Sequence, residues 1–525
     1  MAARGYPEPV SHTPAEHRPA AGERTDATDP LPDEHDLPEQ VRVRLGKRER
    51  LLEEGLEPYP VTVPVTHSVA QVRQGWGHLD AGEETDDVVA VSGRVVFVRN
   101  TGRLCFATLQ SGEGTRLQVM LSLKEVGEEA LTLWKSVVDL GDHVYVRGRV
   151  VSSRRGELSV MAQEWRMAAK ALRPLPVLHH ELSEEERVRR RYVDLIVRDD
   201  ARQMVLDRAA VLRALRSVLE DGGYVEVETP VLQAVHGGAA ARPFLTHLNA
   251  FDLQMSLRIA LELYLKRAVV GGIERVYEIG KVFRNEGIDS THSPEFTMLE
   301  AYRAYGDQFT MAELTQRLVQ SAAVAVGRLQ IETDRGTVDL SGDWQWLTFY
   351  DSLSHVCGES VDISTPRERW VELAGRHAVE LHPEWDAQKI ALELFGDLVE
   401  PTLLQPTFVC DFPASAQPLA RPHRTEPGLI EAWDLIVAGS EIATAFSELV
   451  DPVEQRERLQ QQSLRAAAGD HEAMQLDEDF LRALEHAAPP MGGLGVGVDR
   501  LLMLLRDVGI RETILFPFLR PEASR

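Results

Sequence analysis

Four stretches of the 525-residue chain combine residue types that can do chemistry. In the first, two strand-like segments, Glu274 to Phe283 and Pro294 to Tyr302, flank the loop Arg284-Asn285-Glu286-Gly287-Ile288-Asp289-Ser290-Thr291-His292-Ser293. Side chains alternate across a strand, so Phe296, Met298, Glu300 and Tyr302 share one face. An aromatic ring, a carboxylate and a phenol do not make a core. They suit a pocket wall that stacks a ring and grips a cation. A solvent-exposed polar face is the plainer account, but the arginine, glutamate and histidine of the connecting loop favour a site.

The second stretch, Trp433 to Leu449, holds Asp434, Glu441 and Glu448 in largely apolar surroundings. Buried carboxylates are costly unless paired with cations or metal. An all-oxygen donor set suits a hard cation such as magnesium better than zinc. The third, Gly492-Gly493-Leu494-Gly495-Val496-Gly497-Val498-Asp499-Arg500, runs into an apolar helix. Glycines before a helix let backbone approach a phosphate. Their spacing fits neither the dinucleotide fingerprint nor the P-loop, and close backbone packing is an equal explanation. The fourth, Gly222-Gly223-Tyr224-Val225-Glu226-Val227-Glu228-Thr229-Pro230, follows a helix from Ala209 to Glu220. Taken alone it is an ordinary helix–turn–strand.

Two folded regions must position these groups. Residues 88–168 read as five short strands with a helix near 123–137, the pattern of a small Greek-key barrel of the OB type. Ahead of them, Val41 to Leu52 reads as a basic helix, either a solvated face or a nucleic-acid contact. Pro174 and Pro176 mark a linker. Beyond it, mixed helices and strands make one large α+β domain. The expected division is a tail at 1–40, a barrel domain with its leading helix at 41–172, a linker at 173–198 and a large domain at 199–525. Residues 1–40 hold nine acids, three bases and seven of the 28 prolines. That composition predicts disorder.

The net charge of −25 argues against a general nucleic-acid binder, since neutralising phosphates needs basic residues. Cys105, Cys357 and Cys410 are widely spaced and odd in number. They predict neither a disulfide framework nor a zinc site, and they suit a reducing cytoplasm. No apolar run approaches the length of a membrane span, and no signal peptide is evident.

Together these segments resemble the class II aminoacyl-tRNA synthetases, and within them the lysyl type. Gly222 to Pro230 is similar to motif 1 of that class, Phe283-Arg284-Asn285-Glu286 through Glu300 to motif 2, and Gly493 to Arg500 to motif 3, in the same order. Gly237-Gly238-Ala239-Ala240-Ala241-Arg242-Pro243-Phe244, Leu257-Arg258-Ile259-Ala260, Glu262-Leu263-Tyr264-Leu265-Lys266-Arg267 and His292-Ser293-Pro294-Glu295-Phe296-Thr297-Met298 look like lysine-specific segments. The similarity spans residues 38 to 520. It implies an anticodon-binding barrel followed by a catalytic domain with an antiparallel sheet flanked by helices. The implied activity is ATP-dependent conversion of L-lysine to lysyl-adenylate and transfer to the 3′ end of tRNA(Lys), with Mg2+ as cofactor. The implied assembly is a homodimer without membrane attachment.

The resemblance also assigns residues. Arg284 is expected at the α-phosphate of ATP, Arg500 near the γ-phosphate and adenine, and His292 near the leaving pyrophosphate. Phe296 would stack on adenine and Glu286 would accept from its amine. Asp434 and Glu441 would hold magnesium. Glu262 and the Gly238 carbonyl would meet the α-amine of lysine. Glu448 and Tyr302, with Glu300 near by, would meet the ε-ammonium, and Thr444 lies where an amide usually faces the carboxylate. A carboxylate facing a cation site rejects an uncharged substrate, which favours lysine over asparagine or aspartate. In the barrel, Phe106 would stack on an anticodon base while Gln110 and Glu157 read its edge.

The chain departs from that pattern at Leu261 (usually Pro), Ser256 (usually Tyr), Ala443-Thr444-Ala445 (usually Gly-Asn-Gly) and Val450 (usually Asn). Ala445 matters if its backbone needs a positive φ. Two rival readings compete: a synthetase-like paralogue with reduced or redirected lysyl transfer, and a non-enzymatic single-strand-binding protein built on the barrel. The presence of the barrel counts against the first, and the large domain is unexplained by the second.

Overall fold

The computed structural model describes residues 37–176, 182–467, 469–470 and 472–520. The acidic N-terminal segment before residue 37 lies outside them. Contacts divide the chain into two units, one ending at Pro176 and one starting at Val177.

The first unit contains α1 (Glu39–Glu53), α2 (Val69–Trp76), β1 (Glu84–Thr101), β2 (Leu104–Gln110), β3 (Arg116–Ser122), α3 (Leu123–Val126), α4 (Glu128–Val137), β4 (His143–Ser152) and β5 (Leu158–Ala169). The strands close into a barrel in the order β1-β2-β3-β5-β4. Alternation makes the core: Cys105, Ala107 and Leu109 of β2 point inward and are fully buried, as are Leu117 and Val119 of β3. β1 pairs with β4 in its first half and β2 in its second, and its register shifts between Val95 and Phe97. Such a bulge bends the strand and lets it turn a barrel corner.

Part of the basic helix is spent on packing. Arg44 is buried and donates to the carbonyls of Leu140 and Ala171 at 3.0 and 3.1 Å. Lys47 pairs with Asp139 at 2.5 Å. Arg42 and Arg50 remain exposed.

The second unit begins with α5 (Glu184–Arg189), α6 (Arg191–Val197) and α7 (Asp199–Asp221). Residues 182–198, expected as linker, are thus largely helical and packed. Ser183 and Glu186 form a capping box, and buried Arg191 bonds Asp194, Glu512 and the Arg511 carbonyl. An apolar count misses this segment because ion pairs hold it.

Then follow β6 (Val225–Glu226), β7 (Leu232–Gln233), β8 (Leu245–Leu248), β9 (Leu253–Leu257), α8 (Glu262–Val270), β10 (Arg275–Phe283), β11 (Glu295–Ala304), α9 (Gln308–Ala325), β12 (Gln330–Thr333), β13 (Gly336–Asp339) and β14 (Gln345–Thr348). After them come α10 (Phe349–Cys357), α11 (Arg367–Arg376), α12 (Ala387–Leu394), β15 (Thr407–Cys410), β16 (Ala432–Val437), β17 (Ser440–Ser447), α13 (Pro452–Ala467), α14 (Glu478–Leu484), β18 (Met491–Gly497), α15 (Val498–Arg506) and α16 (Ile510–Thr513). Eight strands form one sheet in the order β14-β15-β16-β17-β18-β11-β10-β6. Its centre is antiparallel; the edge pairs β14–β15 and β10–β6 are parallel. With the barrel, this is the expected α+β architecture.

The strand period divides this sheet into two functions. Leu299 and Ala301 of β11, Trp433 and Leu435 of β16, Ala443 and Ala445 of β17, and Leu494 and Val496 of β18 pack in one core with α7 and α9. Their neighbours in sequence point to the opposite face, where the site lies. Asp434 lies directly opposite Thr444, and β16 turns into β17 through Ala438 and Gly439, both at positive φ. That is the two-residue turn whose twist matches a hairpin. Among the described residues no helix is long and apolar enough to cross a membrane.

Gly148 tests the barrel's packing. It follows a register shift in β4, and an added Cβ would lie 1.9 Å from the Met161 carbonyl oxygen. Gly148→Ala should destabilise the barrel by about 1–3 kcal/mol, read as a lower denaturant midpoint in the full chain. Gly46→Ala, in open space on α1, should be neutral or stabilising by up to about 1 kcal/mol. Equal stability of the Gly148→Ala chain would contradict this packing.

Candidate functional site

The polar face of the large sheet floors a cleft of about 350 Å³. β11 contributes Phe296, Met298, Glu300 and Tyr302, which share one strand face. β18 lies beside it with Gly493 opposite Tyr302, Gly495 opposite Glu300 and Gly497 opposite Met298. The alternating glycines are thus the strand itself, not a loop before the helix. Their missing side chains make the room. A Cβ on Gly493 would meet Glu448 Oε1 at 1.9 Å and the Tyr302 ring at 2.4 Å. The helix follows at Val498 and carries Arg500 in its first turn.

One end of the cleft is acidic. Glu262 at the start of α8, Glu300 on β11 and Glu448 just after β17 are all buried there. Tyr302 donates to Glu300 Oε2 at 3.2 Å, and the Leu261 N–H donates to Glu300 Oε1 at 2.9 Å. Burial, with the nearby Glu262 charge, pushes the Glu300 carboxyl up to about 7. Burial pushes Glu448 up to about 8; Lys266 opposes the shift while Glu262 and Glu300 reinforce it. Lys266 was not singled out by sequence. Its fully buried ammonium lies 2.6 Å from Glu262 Oε1 and also contacts Glu448 Oε2. Glu448 Oε1 has no hydrogen-bond partner.

The other end carries positive charge and a ring. Arg284 follows β10, and its guanidinium lies over the Phe296 ring, 5.2 Å from the centroid. Burial draws its pKa below the usual arginine range. His292 is exposed on the connecting loop, with Nδ1 2.9 Å from Asp289 Oδ2. Hydrogen bonds from the Thr291 N–H and from His292 hold Asp289 well below the usual carboxylate range. Glu286 is exposed on the same loop, at the cleft margin.

Arg500 pairs with Glu441 at 3.2 Å and donates to its carbonyl at 3.1 Å. Asp434 lies on the same face, and its carboxyl is pushed well above the usual range by burial and then by Glu441, with Glu400 adding to the effect. Glu400 is itself pushed up to about 7 by burial and Glu441. It sits in a short helical turn without any motif, so sequence reading passed over it. Among the described residues no three carboxylate, histidine or cysteine side chains form a metal-binding group. The donor set is nevertheless all oxygen. Asp434 and Glu400 resist ionisation beside the Glu441 charge, so a hard cation shared with an anionic ligand would relieve them.

Gly238 and Thr444 also line the cleft. Gly238 has φ +87°, and a Cβ there would lie 3.1 Å from that of Glu262. Thr444 donates to the Trp433 carbonyl at 3.4 Å. Ala445 is not among the positive-φ residues and is buried in the core, so it needs no glycine there. Leu261 supplies an N–H to Glu300 that a proline would lack.

Two struts went unread in the sequence. Asp499 accepts from the Thr297 N–H at 2.7 Å and from Arg208 at 2.5 Å, tying α15 to β11 and α7. Arg258 bonds Glu278 at 2.6 Å and the Thr229 carbonyl at 3.1 Å. Their signal was charge within otherwise apolar segments.

The barrel residues belong to the first unit. Phe106 is half-buried on the outer side of β2, whose neighbours Cys105 and Ala107 point inward. Gln110 is buried and accepts from Arg116 at 3.1 Å, and exposed Glu157 pairs with Arg73 at 3.0 Å.

Comparison with known proteins agrees along nearly the whole chain. Residues 183–520 match the family described as tRNA synthetases class II (D, K and N). Residues 89–168 match the OB-fold nucleic acid binding domain. The chain is 59% identical over 495 residues to the lysine--tRNA ligase of Kineococcus radiotolerans, covering 93% of this chain and 99% of that one. It is 56% identical over 493 residues to the lysine--tRNA ligase of Mycolicibacterium gilvum, covering 93% and 98%. It is also 47% identical to the lysylphosphatidylglycerol biosynthesis bifunctional protein LysX of Mycobacterium ulcerans, over 92% of this chain but 44% of that one.

The acidic end predicts a pH signature. Glu300 and Glu448 bind a proton more tightly folded than at their ordinary value of 4.5. Their contribution to stability is therefore full below about pH 4.5 and is lost as pH rises through about 7 and 8. Glu300→Gln should make the thermal midpoint less pH-sensitive between about pH 5 and 8. An unchanged slope would refute the burial of an ionisable group there.

Proposed function

The chain belongs to the class II lysine–tRNA ligases, and from that premise we propose how its own residues carry out the activity. The protein activates L-lysine with ATP and transfers the lysyl group to tRNA(Lys). The similarity lends no support to redirected transfer. The observation that carries the site assignment is the cleft's bipolarity: buried carboxylates at one end, and a guanidinium over an aromatic ring at the other.

Glu448 and Tyr302, with Glu300 near by, take the ε-ammonium of lysine. Glu262 and the Gly238 carbonyl take the α-amine, and Thr444 faces the carboxylate. ATP lies with its adenine on Phe296 and its amine toward Glu286. A lysine carboxylate oxygen then attacks the α-phosphorus, and the bond to pyrophosphate breaks. Two anions must approach, so Arg284 at the α-phosphate neutralises the charge that develops. Arg500 and His292 receive the outer phosphates and the leaving pyrophosphate. No general base is required, and the residues act by positioning and charge. Asp434 and Glu441 would hold Mg2+, which supplies charge neutralisation for the phosphates when bound. In the second step the tRNA 3′ hydroxyl takes the lysyl group and AMP leaves.

Residues 41–172 serve as the anticodon-binding domain, with Phe106, Gln110 and Glu157 at the base. Exposed Arg42 and Arg50 of α1 offer charge to the tRNA backbone. Residues 199–525 are the catalytic domain. The enzyme works in the cytoplasm, where its three free cysteines stay reduced. It forms a homodimer through the motif 1 region. Val205 and Leu206 of α7 and Val225, Val231, Leu232 and Leu245 after it are large apolar side chains left exposed, which a second copy would cover. Sedimentation at micromolar concentration should give a dimer, and a fully active monomer would refute this.

Amino-acid-dependent ATP–pyrophosphate exchange tests the core assignment. It should require lysine and magnesium, and exchange with another amino acid alone would overturn it. Two variants separate the steps. Phe106→Ala should leave exchange intact and weaken tRNA charging, since a stacked base contributes about 1–3 kcal/mol. Glu448→Gln should cripple exchange, because a desolvated cation loses its charged partner at a cost of about 2–5 kcal/mol. Equal loss of exchange in both would mean that the barrel is not a separate tRNA reader.

A further inference from the structure

Lys266 has no part in the roles assigned above, yet it is a fully buried charge in contact with two glutamates of the cleft wall. It lies one helical turn after Glu262 on α8, a spacing at which a glutamate and a later lysine meet. Its side chain has no exposed surface, and its ammonium contacts both Glu262 and Glu448. We propose that Lys266 is a positioning residue that sets the charge of the lysine pocket, joining Glu262 and Glu448 and leaving room for two further ammonium groups. This deepens, and rests on, the reading of the cleft as a lysine site.

The argument begins with charge. Glu262, Glu300 and Glu448 bring three negative charges, and Lys266 returns one positive, so the ionised pocket carries −2. Lysine brings an ammonium at each end, and its carboxylate is assigned to the opposite, cationic side. The two ammoniums complete the neutralisation; a neutral amino acid brings only one. Glu448 Oε1, buried and without a hydrogen-bond partner, is the acceptor left open for an arriving cation. Without Lys266, three buried carboxylates would face each other with nothing between Glu262 and Glu448. Such carboxyls take protons rather than stay ionised.

The groups facing this pocket are Glu262 and Lys266 from α8, Glu300 and Tyr302 from β11, Glu448 after β17, and Arg284 after β10; β18 contributes glycines. Burial lowers the Lys266 ammonium, but the two glutamates more than offset it and raise its pKa, so it stays charged. Glu300 and Glu448, at about 7 and about 8, are partly protonated in the empty pocket at neutral pH. Lysine binding must expel those protons.

The wild-type measurement is calorimetric titration with lysine at pH 7.5 in two buffers of different ionisation heat. It should show release of about one proton per site. Lysine binding without proton release would overturn the charge argument alone. No lysine binding at any pH would overturn the lysine reading and this inference with it. The variant is Lys266→Met, close in length but uncharged. The acid limb of its kcat/KM for lysine in pyrophosphate exchange should move up by about one to three pH units. Its KM for lysine should rise at pH 7 while the KM for ATP holds. A purely structural role would lower activity or stability without moving the limb, and an unmoved limb would overturn the proposal. If Lys266→Met fails to fold, the calorimetric result on the wild type decides.

Discussion

A carboxylate loses its hydration when buried, and it stays ionised only if something replaces that water. The large domain buries Glu262, Glu300 and Glu448 within one end of a cleft, and much of the surrounding structure answers to that cost. The Leu261 N–H and the Tyr302 hydroxyl serve Glu300. Lys266 serves Glu262 and Glu448. What remains unmet is the binding energy available to a cation. A pocket fully satisfied by its own residues would have little to offer a ligand, and one with no internal partner would hold protons instead of charge.

The same sheet does two jobs because a strand has two faces. Leu299 and Ala301 of β11, Ala443 and Ala445 of β17, and Leu494 and Val496 of β18 pack with α7 and α9 in one apolar core, while Glu300, Thr444 and Gly495 between them face the cleft. The site is therefore carried on the central sheet of the domain. At residue 493 of β18 glycine is required for steric reasons, not for flexibility. Gly493 yields its volume to Tyr302 and Glu448, and neither could occupy its place beside an alanine. The cationic end is built differently. Arg284 and His292 stand on the loop between β10 and β11.

Structural charges surround those that line the cleft and resemble them in sequence. Asp499 sits beside Arg500, but it holds α15 to β11 and α7 while Arg500 faces the cleft. Arg258 lies in a segment of lysine-type sequence and acts as a strut between Thr229 and Glu278. In the barrel unit, Arg44 and Lys47 belong to a basic helix, yet both are committed to local partners. Charge in a motif thus divides between ligand and scaffold according to which partner lies within reach.

The sequence by itself determined the two-domain α+β plan, because hydrophobic period and turn residues are local properties. It also determined which face of β11 lines the cleft, since alternation needs no partner strand. Motif order and the lysine-type segments brought Gly238, Glu262, Arg284, Phe296, Glu300, Tyr302, Glu448 and Arg500 to attention, and all line one cleft. Only the tertiary structure decided that the glycines of 493–497 are a strand, because their partners Tyr302, Glu300 and Met298 lie almost 200 residues away. It decided that Ala445 is tolerated, which depends on its φ and its place in the core. It also brought Glu400 to Asp434 and Glu441, and Lys266 to Glu448. Electrostatic coupling depends on distance through space, and pairs so far apart in sequence leave no spacing to read.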